Sequence, residues 1–316
     1  MVRFFTSGYL NFGRCLTMEN EFAQLVITLD VGPRIVSYRL TDGENVFFND
    51  INRVMTFESD KLRAEAGELG RWVMYGGHRF WTAPEDYFVT YDPDNRPCTA
   101  EIDEAAGSVT LTAPKREATG FVKTVRVTLA QDSPKVTVEH ILTNASAEPK
   151  NAALWGVTAV AAGGVEVVPL PTTETPDFFP RQIIALWHGK ALDDPRVQWR
   201  SDCAILRQSD AFENTYKFGT FVEDGWIACF VKGSLLFIGV PCFPDRVYTD
   251  RGCNYETFTN KLLTELETLG EYGELAPGES RSHTEVWILA KCGEVPAADG
   301  ESPVAQLGAL AKKLLY

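Results

Sequence analysis

Few residues of this sequence are of the kind that build metal centres or disulfide frames. The 316-residue chain has four histidines and seven cysteines, and the cysteines are scattered, odd in number and without CxxC spacing. Structural zinc sites and disulfide-rich domains depend on closely spaced or paired cysteines. We therefore predict reduced thiols in a cytoplasmic protein that has no metal and no other cofactor.

Long apolar runs and excess positive charge are also missing. No stretch is long enough to span a bilayer, and residues 1–7 lack the apolar run of a secretion signal. A net charge of −13 opposes binding to phosphate backbones and to anionic membranes. Walker loops, dinucleotide-binding glycine motifs, HExxH and GxSxG are absent as well. We predict no nucleic-acid partner and no membrane partner.

Strand patterns dominate what the sequence does contain. Apolar and polar residues alternate with β-branched enrichment in Ser108–Thr112, Phe121–Leu129 and Lys135–Leu142, which is typical of antiparallel sheets with one wet face. Helical signal is scarce: a segment at about 302–315 carries an apolar stripe, and 181–187 is a weaker candidate. We predict an all-β protein in which residues 1–316 form a single domain, with the C-terminal helix docked on it.

The segment from Tyr75 to Glu85 concentrates chemically capable groups. Two glycines let the backbone bend and approach a ligand closely. His78, Arg79 and Trp81 follow them, so that an imidazole, a fixed cation and an indole stand within four residues. Such a set indicates the wall of a polar, aromatic-lined site of the kind that binds a sugar.

The order of landmarks along the chain resembles a known group. Strands around Asp30–Ile35 precede the Gly-Gly-His-Arg segment, a later strand ends at Leu142–Asn144, and Cys253–Asn260 and Leu275–Ser280 follow. This order is similar to that of the galactose mutarotase-like (aldose 1-epimerase-like) superfamily, in a branch that carries the motifs at 75–79 and 265–270. The resemblance implies a β-supersandwich of large antiparallel sheets with few short helices. It also implies a mono- or oligosaccharide ligand, and it leaves the oligomeric state open.

Interconversion of sugar anomers needs a base for the anomeric hydroxyl and an acid for the ring oxygen. Members of the group commonly use a glutamate and a histidine, and Glu256 is the matching glutamate. A hairpin turn at 260–261 would place Glu256 opposite Glu265, and Asn254 opposite Glu267. This acidic face is either a cluster that binds sugar hydroxyls, a cation or nearby arginines, or a solvated surface of an acidic protein. Glu256 and Glu267 are the candidate bases.

The group's acid has no counterpart at the expected place. The stretch 153–164 contains no histidine, and its Trp155 cannot deliver a proton at neutral pH. His140 and His283 lie in strand patterns that indicate structural roles. His188, after a proline-rich excursion, could overhang a site, but the Gly-Gly-His-Arg segment favours His78. His78 is therefore the candidate acid.

Supporting roles fall to side chains that stack on a sugar or bond its hydroxyls. Trp81 is either a stacking platform or a core anchor, and Arg79 either binds an acidic ligand group or pairs with Glu85 or Asp86. The candidate substrate-binding residues are Arg34, Arg79, Trp81, Glu85, Tyr91, Asn254 and Glu265.

Three hypotheses for the function remain. The first is an aldose or modified-sugar epimerase with a carboxylate base and a histidine acid. The second is a non-catalytic carbohydrate-binding protein that retains the sugar groove. The third is a lyase or hydrolase of acidic sugars, in which Arg34 and Arg79 neutralise the carboxylate of the substrate. Convergence of His78 and a carboxylate across one sugar ring would favour catalysis.

Overall fold

The strands assemble into two large antiparallel sheets and a small one. The computed structural model describes residues 1–60, 63–64, 70–174, 180–297 and 300–316. What we call the front sheet runs in the spatial order β1 (Arg3–Gly8), β2 (Arg14–Glu19), β3 (Ala23–Thr28), β4 (Arg34–Leu40), β7 (Gly77–Ala83), β12 (Lys150–Ala161), β21 (Leu263–Leu269), β20 (Tyr255–Thr259), β17 (Tyr216–Thr220) and β14 (Ile184–Leu186), with β22 (Gly273–Leu275) paired to β12.

The second large sheet, the back sheet, contains most of the strands whose alternation is visible in the sequence. It runs in the order β15 (Val197–Trp199), β16 (Cys203–Arg207), β13 (Val165–Pro169), β18 (Trp226–Val231), β19 (Ser234–Gly239), β23 (Ser280–Lys291), β11 (Val136–Asn144), β10 (Phe121–Leu129), β9 (Ser108–Thr112) and β8 (Thr99–Asp103). The small sheet pairs β5 (Thr56–Phe57) with β6 (Trp72–Val73). The predicted all-β class is confirmed.

The main core lies between the front and back sheets. In β11 every second residue is buried, which is the period of a strand with one covered face. Tyr38 of β4, Phe47 and Trp287 of β23 meet there, with ring centroids 5.6 to 6.2 Å apart. The Tyr38 hydroxyl also accepts the backbone N–H of Leu289 at 3.1 Å. Polar contacts of this kind fix the position of one sheet relative to the other.

A helix, α1, spans Val304–Leu315 and covers the outer face of the back sheet. Leu307, Ala311 and Leu315 form its buried stripe. Full burial of a leucine side chain stabilises a fold by about 1.5–3 kcal/mol. Among the described residues, no helix is long and apolar enough to cross a membrane.

Two local predictions are wrong. The segment 181–187 is not helical: it contains strand β14, because its backbone pairs with the edge of β17. The β20–β21 hairpin pairs Glu256 with Glu267 and Phe258 with Glu265. Its turn centres on 261–262, where the Asn260 N–H bonds the Leu263 carbonyl. A shift of two residues preserves the face on which each side chain lies.

Glu166 links the two sheets through hydrogen bonds from the front sheet. Its carboxylate lies in β13 and accepts the hydroxyls of Tyr255 and Thr257 of β20, the latter at 2.7 Å. Burial raises the pKa of Glu166 to about 7, although the two hydrogen bonds oppose this shift. The folded protein therefore favours the protonated form more than the unfolded chain does.

This difference predicts a pH-dependent stability. Because the folded pKa exceeds the unfolded value, the contribution of Glu166 is complete below about pH 4.5 and is lost as the pH rises through about 7. We expect the wild type to lose about 2–3 kcal/mol between pH 5 and pH 8 relative to Glu166→Gln. Urea unfolding at both pH values measures this, with Glu101→Gln on the exposed strand β8 as the control. Parallel pH profiles of wild type and Glu166→Gln would contradict it.

Candidate functional site

A cavity of about 380 Å³ lies on the outer face of the front sheet, away from the back sheet. Side chains of β7, β12, β17, β20 and β21 form its floor, and the small sheet and neighbouring loops form its walls. The lining residues are Met55, Trp72, Met74, Arg79, Trp81, Glu85, Tyr91, Trp155, Trp187, His188, Lys190, Thr215, Lys217, Phe258, Glu265 and Glu267. The volume is in the range of small-molecule sites.

Aromatic rings form one side of the cavity. Trp81 meets Trp155 edge to face at 5.5 Å between ring centroids, and Trp72 and Tyr91 lie 5.5 and 5.0 Å from Trp81. The indole N–H groups of Trp72 and Trp155 are buried and have no hydrogen-bond partner among the described residues. The cavity thus offers flat apolar surface, and the two N–H groups lie buried beside it.

Two carboxylates and one lysine form a buried cluster at the base of the cavity. Glu256 and Glu267 are directly opposite each other on β20 and β21. The Nζ atom of Lys217 lies 2.7 Å from Glu256 Oε2 and 2.9 Å from Glu267 Oε2. It also lies 4.7 Å from the ring centroids of both Trp155 and Trp187. The lysine therefore compensates the repulsion between facing carboxylates.

The protonation of this cluster follows from its burial. Burial raises the pKa of Glu256 well above its usual value and raises the pKa of Glu267, and Lys217 opposes both shifts. The two carboxylates raise the pKa of Lys217 despite its burial. One lysine cannot balance two buried carboxylates, so the cluster favours an ammonium, one carboxylate and one retained proton. Glu267 lines the cavity, whereas Glu256 lies beneath it.

Arg79 is held by an ion pair on the floor of the cavity. Its Nη1 donates to Glu265 Oε1 at 2.7 Å, and its guanidinium stacks over Trp81 at 3.9 Å from the ring centroid. The predicted alternative of a pair with Glu85 or Asp86 is not what the geometry shows. Glu85 instead accepts the hydroxyl of Tyr91 at 2.9 Å.

The structure does not bring His78 together with the carboxylates. Neighbouring side chains of a strand point to opposite faces, so Arg79 and Trp81 face the cavity while His78 faces the back sheet. His78 is 1% exposed, and its ring contacts Thr158 and His140. Burial lowers its pKa well below the usual value. As the acid in a sugar site with Glu256 or Glu267, His78 is ruled out because the backbone of the front sheet lies between them.

Arg34 and Asn254 also lie outside the cavity lining. The Arg34 guanidinium donates to Asp94 at 2.6 and 3.0 Å and to the Met74 carbonyl at 2.6 Å. The Asn254 side chain accepts the Val222 N–H at 2.7 Å. Both side chains hold loops in place, and neither is available to a ligand in the cavity.

The two glycines before His78 serve the sheet rather than a ligand. Gly76 and Gly77 have φ values of +97° and +68°. A Cβ atom on them would collide with the carbonyl oxygens of Phe48 and Ile35, respectively. The glycines therefore permit close approach of neighbouring backbones at the start of β7.

Several lining residues were not among the candidates. Trp72, Trp187, Lys190, Thr215 and Phe258 reach the cavity from four separate segments, and their spacing gives no motif. Lys217 and His188 are visible as polar residues in apolar surroundings, but a lone lysine is ordinarily solvated and His188 follows an irregular stretch.

Structural comparison extends over most of the chain. A candidate aldose 1-epimerase from Klebsiella pneumoniae superposes with a TM-score of 0.58 at 11% identity, covering 98% of this chain and 86% of that one. A galactose mutarotase-like protein from Lactobacillus casei gives 0.57 at 11% identity, covering 87% of this chain and 100% of that one. This chain has the galactose mutarotase-like fold. The predicted β-supersandwich is thereby confirmed.

The same fold occurs within longer chains. A TPR-domain containing protein from Parabacteroides distasonis gives a TM-score of 0.59 at 14% identity, over 92% of this chain, which spans only 50% of that protein. No family model matches the sequence. No curated protein matches it either. The likeness is therefore one of fold.

We predict a large and specific loss of stability when Lys217 is replaced. Replacing Lys217 by Met leaves two buried carboxylates facing each other, and removal of one partner of a buried ion pair costs about 3–5 kcal/mol. Urea unfolding at pH 7 measures the change, and the added substitution Glu267→Gln should recover part of it. Lys261→Met, which removes an exposed pair with Glu213, is the control and should cost under about 1 kcal/mol. Equal losses in Lys217→Met and Lys261→Met would refute the assignment.

Proposed function

We propose that the cavity on the front sheet binds a saccharide. The observation that carries this proposal is that closely packed indole rings, carboxylates and cationic side chains line one cavity. A sugar ring has apolar faces that pack on aromatic rings, and a rim of hydroxyls that both donate and accept hydrogen bonds. The fold shared with mutarotase-like proteins supports the same ligand class.

The charges around the cavity favour a neutral sugar. Three cationic side chains, Arg79, Lys190 and Lys217, line it together with three carboxylates, those of Glu85, Glu265 and Glu267. Arg79 and Lys217 are already paired with carboxylates. Lys190, the third cation, donates to the carbonyl and the hydroxyl of Thr215. An anionic ligand would therefore have to compete with an existing contact at each of the three cations, and Arg34 is engaged elsewhere. The lyase or hydrolase reaction on acidic sugars is therefore the least supported of the three hypotheses.

The binding proposal is tested at Trp187, a half-buried wall residue. Trp187→Ala should weaken saccharide binding tenfold or more, about 1.4 kcal/mol, because one face of the ligand loses its contact. Calorimetric titration of neutral mono- and oligosaccharides measures the affinity. Trp199→Ala is the matched control, since Trp199 is also half-buried but does not line the cavity. Absence of saturable binding across the panel would contradict the proposal.

A second candidate function is epimerisation at the anomeric carbon. It is favoured by one observation: Glu267 and His188 line the same cavity. In this mechanism Glu267 takes the proton of the anomeric hydroxyl and His188 gives a proton to the ring oxygen. The C1–O bond to the ring oxygen breaks, the C1–C2 bond rotates, and the ring closes on the other face of the carbonyl. Burial raises the pKa of Glu267 toward the range of a useful base.

The catalytic proposal is tested by exchange rather than binding. Glu267→Gln should lower NMR-detected anomer exchange at least 100-fold, the scale of general acid–base catalysis, while saccharide binding persists. His188→Gln should lower it as well, and Glu85→Gln, in the same wall, should retain most of it. If the wild type gives no exchange above background with aldoses, uronic acids and sugar phosphates, the catalytic proposal fails and binding alone stands.

A further inference from the structure

A second polar cluster lies on the inner face of the front sheet, in the core between the two large sheets. His78 of β7, His140 of β11 and Glu285 of β23 contribute one ligand atom each, and these atoms lie within 4.8 Å of one another. Their exposed fractions are 1%, 0% and 0%. A cluster of this kind in an apolar core requires a cation or a complete set of hydrogen bonds.

The geometry points to a divalent metal site, best suited to zinc, formed by His78 Nε2, His140 Nε2 and a carboxylate oxygen of Glu285. Two imidazoles and one carboxylate are a common zinc donor set. The site is distinct from the saccharide cavity, because the backbone of the front sheet separates the two.

The orientation of His140 is that of a metal ligand. Its Nδ1 donates to the carbonyl oxygen of His283 at 3.0 Å, because a carbonyl can only accept. The neutral ring therefore presents a lone pair on Nε2, and this nitrogen faces Nε2 of His78 at 2.6 Å. Hydrogen bonding of the distal nitrogen to a carbonyl is the usual way in which a metal-binding histidine is oriented.

The other two ligands have outer partners as well. The Nδ1 atom of His78 contacts the Thr158 hydroxyl at 2.8 Å. The carboxylate of Glu285 accepts the indole N–H of Trp287 at 2.7 Å and the hydroxyl of Thr268. Each ligand is thus fixed by a second contact, as in established metal centres.

Space for the cluster depends on a glycine of the front sheet. A Cβ atom at Gly156 would collide with a carboxylate oxygen of Glu285 and lie 3.2 Å from Cε1 of His140.

Zinc–nitrogen bonds of about 2.0–2.1 Å place two nitrogens roughly 3.3 Å apart on a tetrahedral ion. The two imidazoles would therefore separate by roughly 0.7 Å on binding, a change that side-chain rotation can supply.

A second cavity lies beside a histidine that is linked to the cluster by hydrogen bonds. This cavity of about 260 Å³ is lined by Arg281, His283 and Thr284 among others. The Nε2 atom of His283 contacts the Thr268 hydroxyl at 2.7 Å, and Thr268 in turn contacts Glu285.

The experiment measures metal content and stability together. The full chain is unfolded and refolded with a slight excess of Zn²⁺ or with a chelator, separated from free ion, and analysed by elemental mass spectrometry. We expect about one zinc per chain after refolding with Zn²⁺, and a higher thermal midpoint than in the chelator-treated protein. Anomalous X-ray scattering at the zinc edge should place the ion between His78 and His140.

Two variants distinguish this site from adventitious binding. Glu285→Gln is isosteric, so it keeps the shape of the core, and it should lose the zinc and the thermal shift. His188→Gln removes an exposed histidine in the saccharide cavity and should keep both. The proposal is overturned if the refolded wild type carries no zinc, if the ion lies elsewhere, or if Glu285→Gln retains it. An intact, metal-free wild type with an unchanged midpoint would show that a proton shared between the two imidazoles holds the cluster.

Discussion

The front sheet carries polar groups on both of its faces, and the two-residue period of its strands keeps the two sets apart. In β7, His78 points to the core and Arg79 to the cavity; in β21, Thr268 and Glu267 divide in the same way. A sheet is only one backbone thick, and successive side chains of a strand point to its opposite faces. Groups with unrelated chemistry can therefore be neighbours in sequence and still lie on different sides of the sheet. The role that a residue of the front sheet can have therefore depends first on the face of the sheet on which its side chain lies.

The two faces of the front sheet offset the free-energy cost of burying polar groups in different ways. On the outer face, Lys217 and Arg79 neutralise carboxylates of β20 and β21 within hydrogen-bond distance. Partial access to the cavity lowers the desolvation cost that a fully buried charge would meet. On the inner face no lysine or arginine joins Glu285 among the described ion pairs, and hydroxyl, indole and imidazole groups surround it. A neutral or metal-bound cluster is the form that such surroundings stabilise.

Local patterns in the sequence were sufficient for the fold class, because alternation in strands such as β10 and β11 is set by the same burial that builds the sheets. Among the candidate residues, Trp81, Glu265 and Glu267 do line one cavity. The patterns failed for His78 because β7 is buried on both faces, so its sequence lacks the contrast that tells inside from outside. They also failed to place His140 and Glu285 beside His78, because those two residues lie in strands of the other sheet. No spacing rule connects residues that meet only after the two sheets stack.

The separation of the faces limits what each site can do. An ion held by His78, His140 and Glu285 cannot touch a ligand in the cavity, so its effect is on the spacing of the sheets and on the rigidity of β7, β12 and β21. Those three strands also hold Arg79, Trp155 and Glu267 at the base of the cavity. In the proposed epimerisation, proton transfer comes from groups on the outer face, where Glu267 is paired with Lys217 and His188 lies on a loop. The inner cluster lies behind the floor of the cavity, and the outer cluster contains the groups on which the proposed chemistry depends.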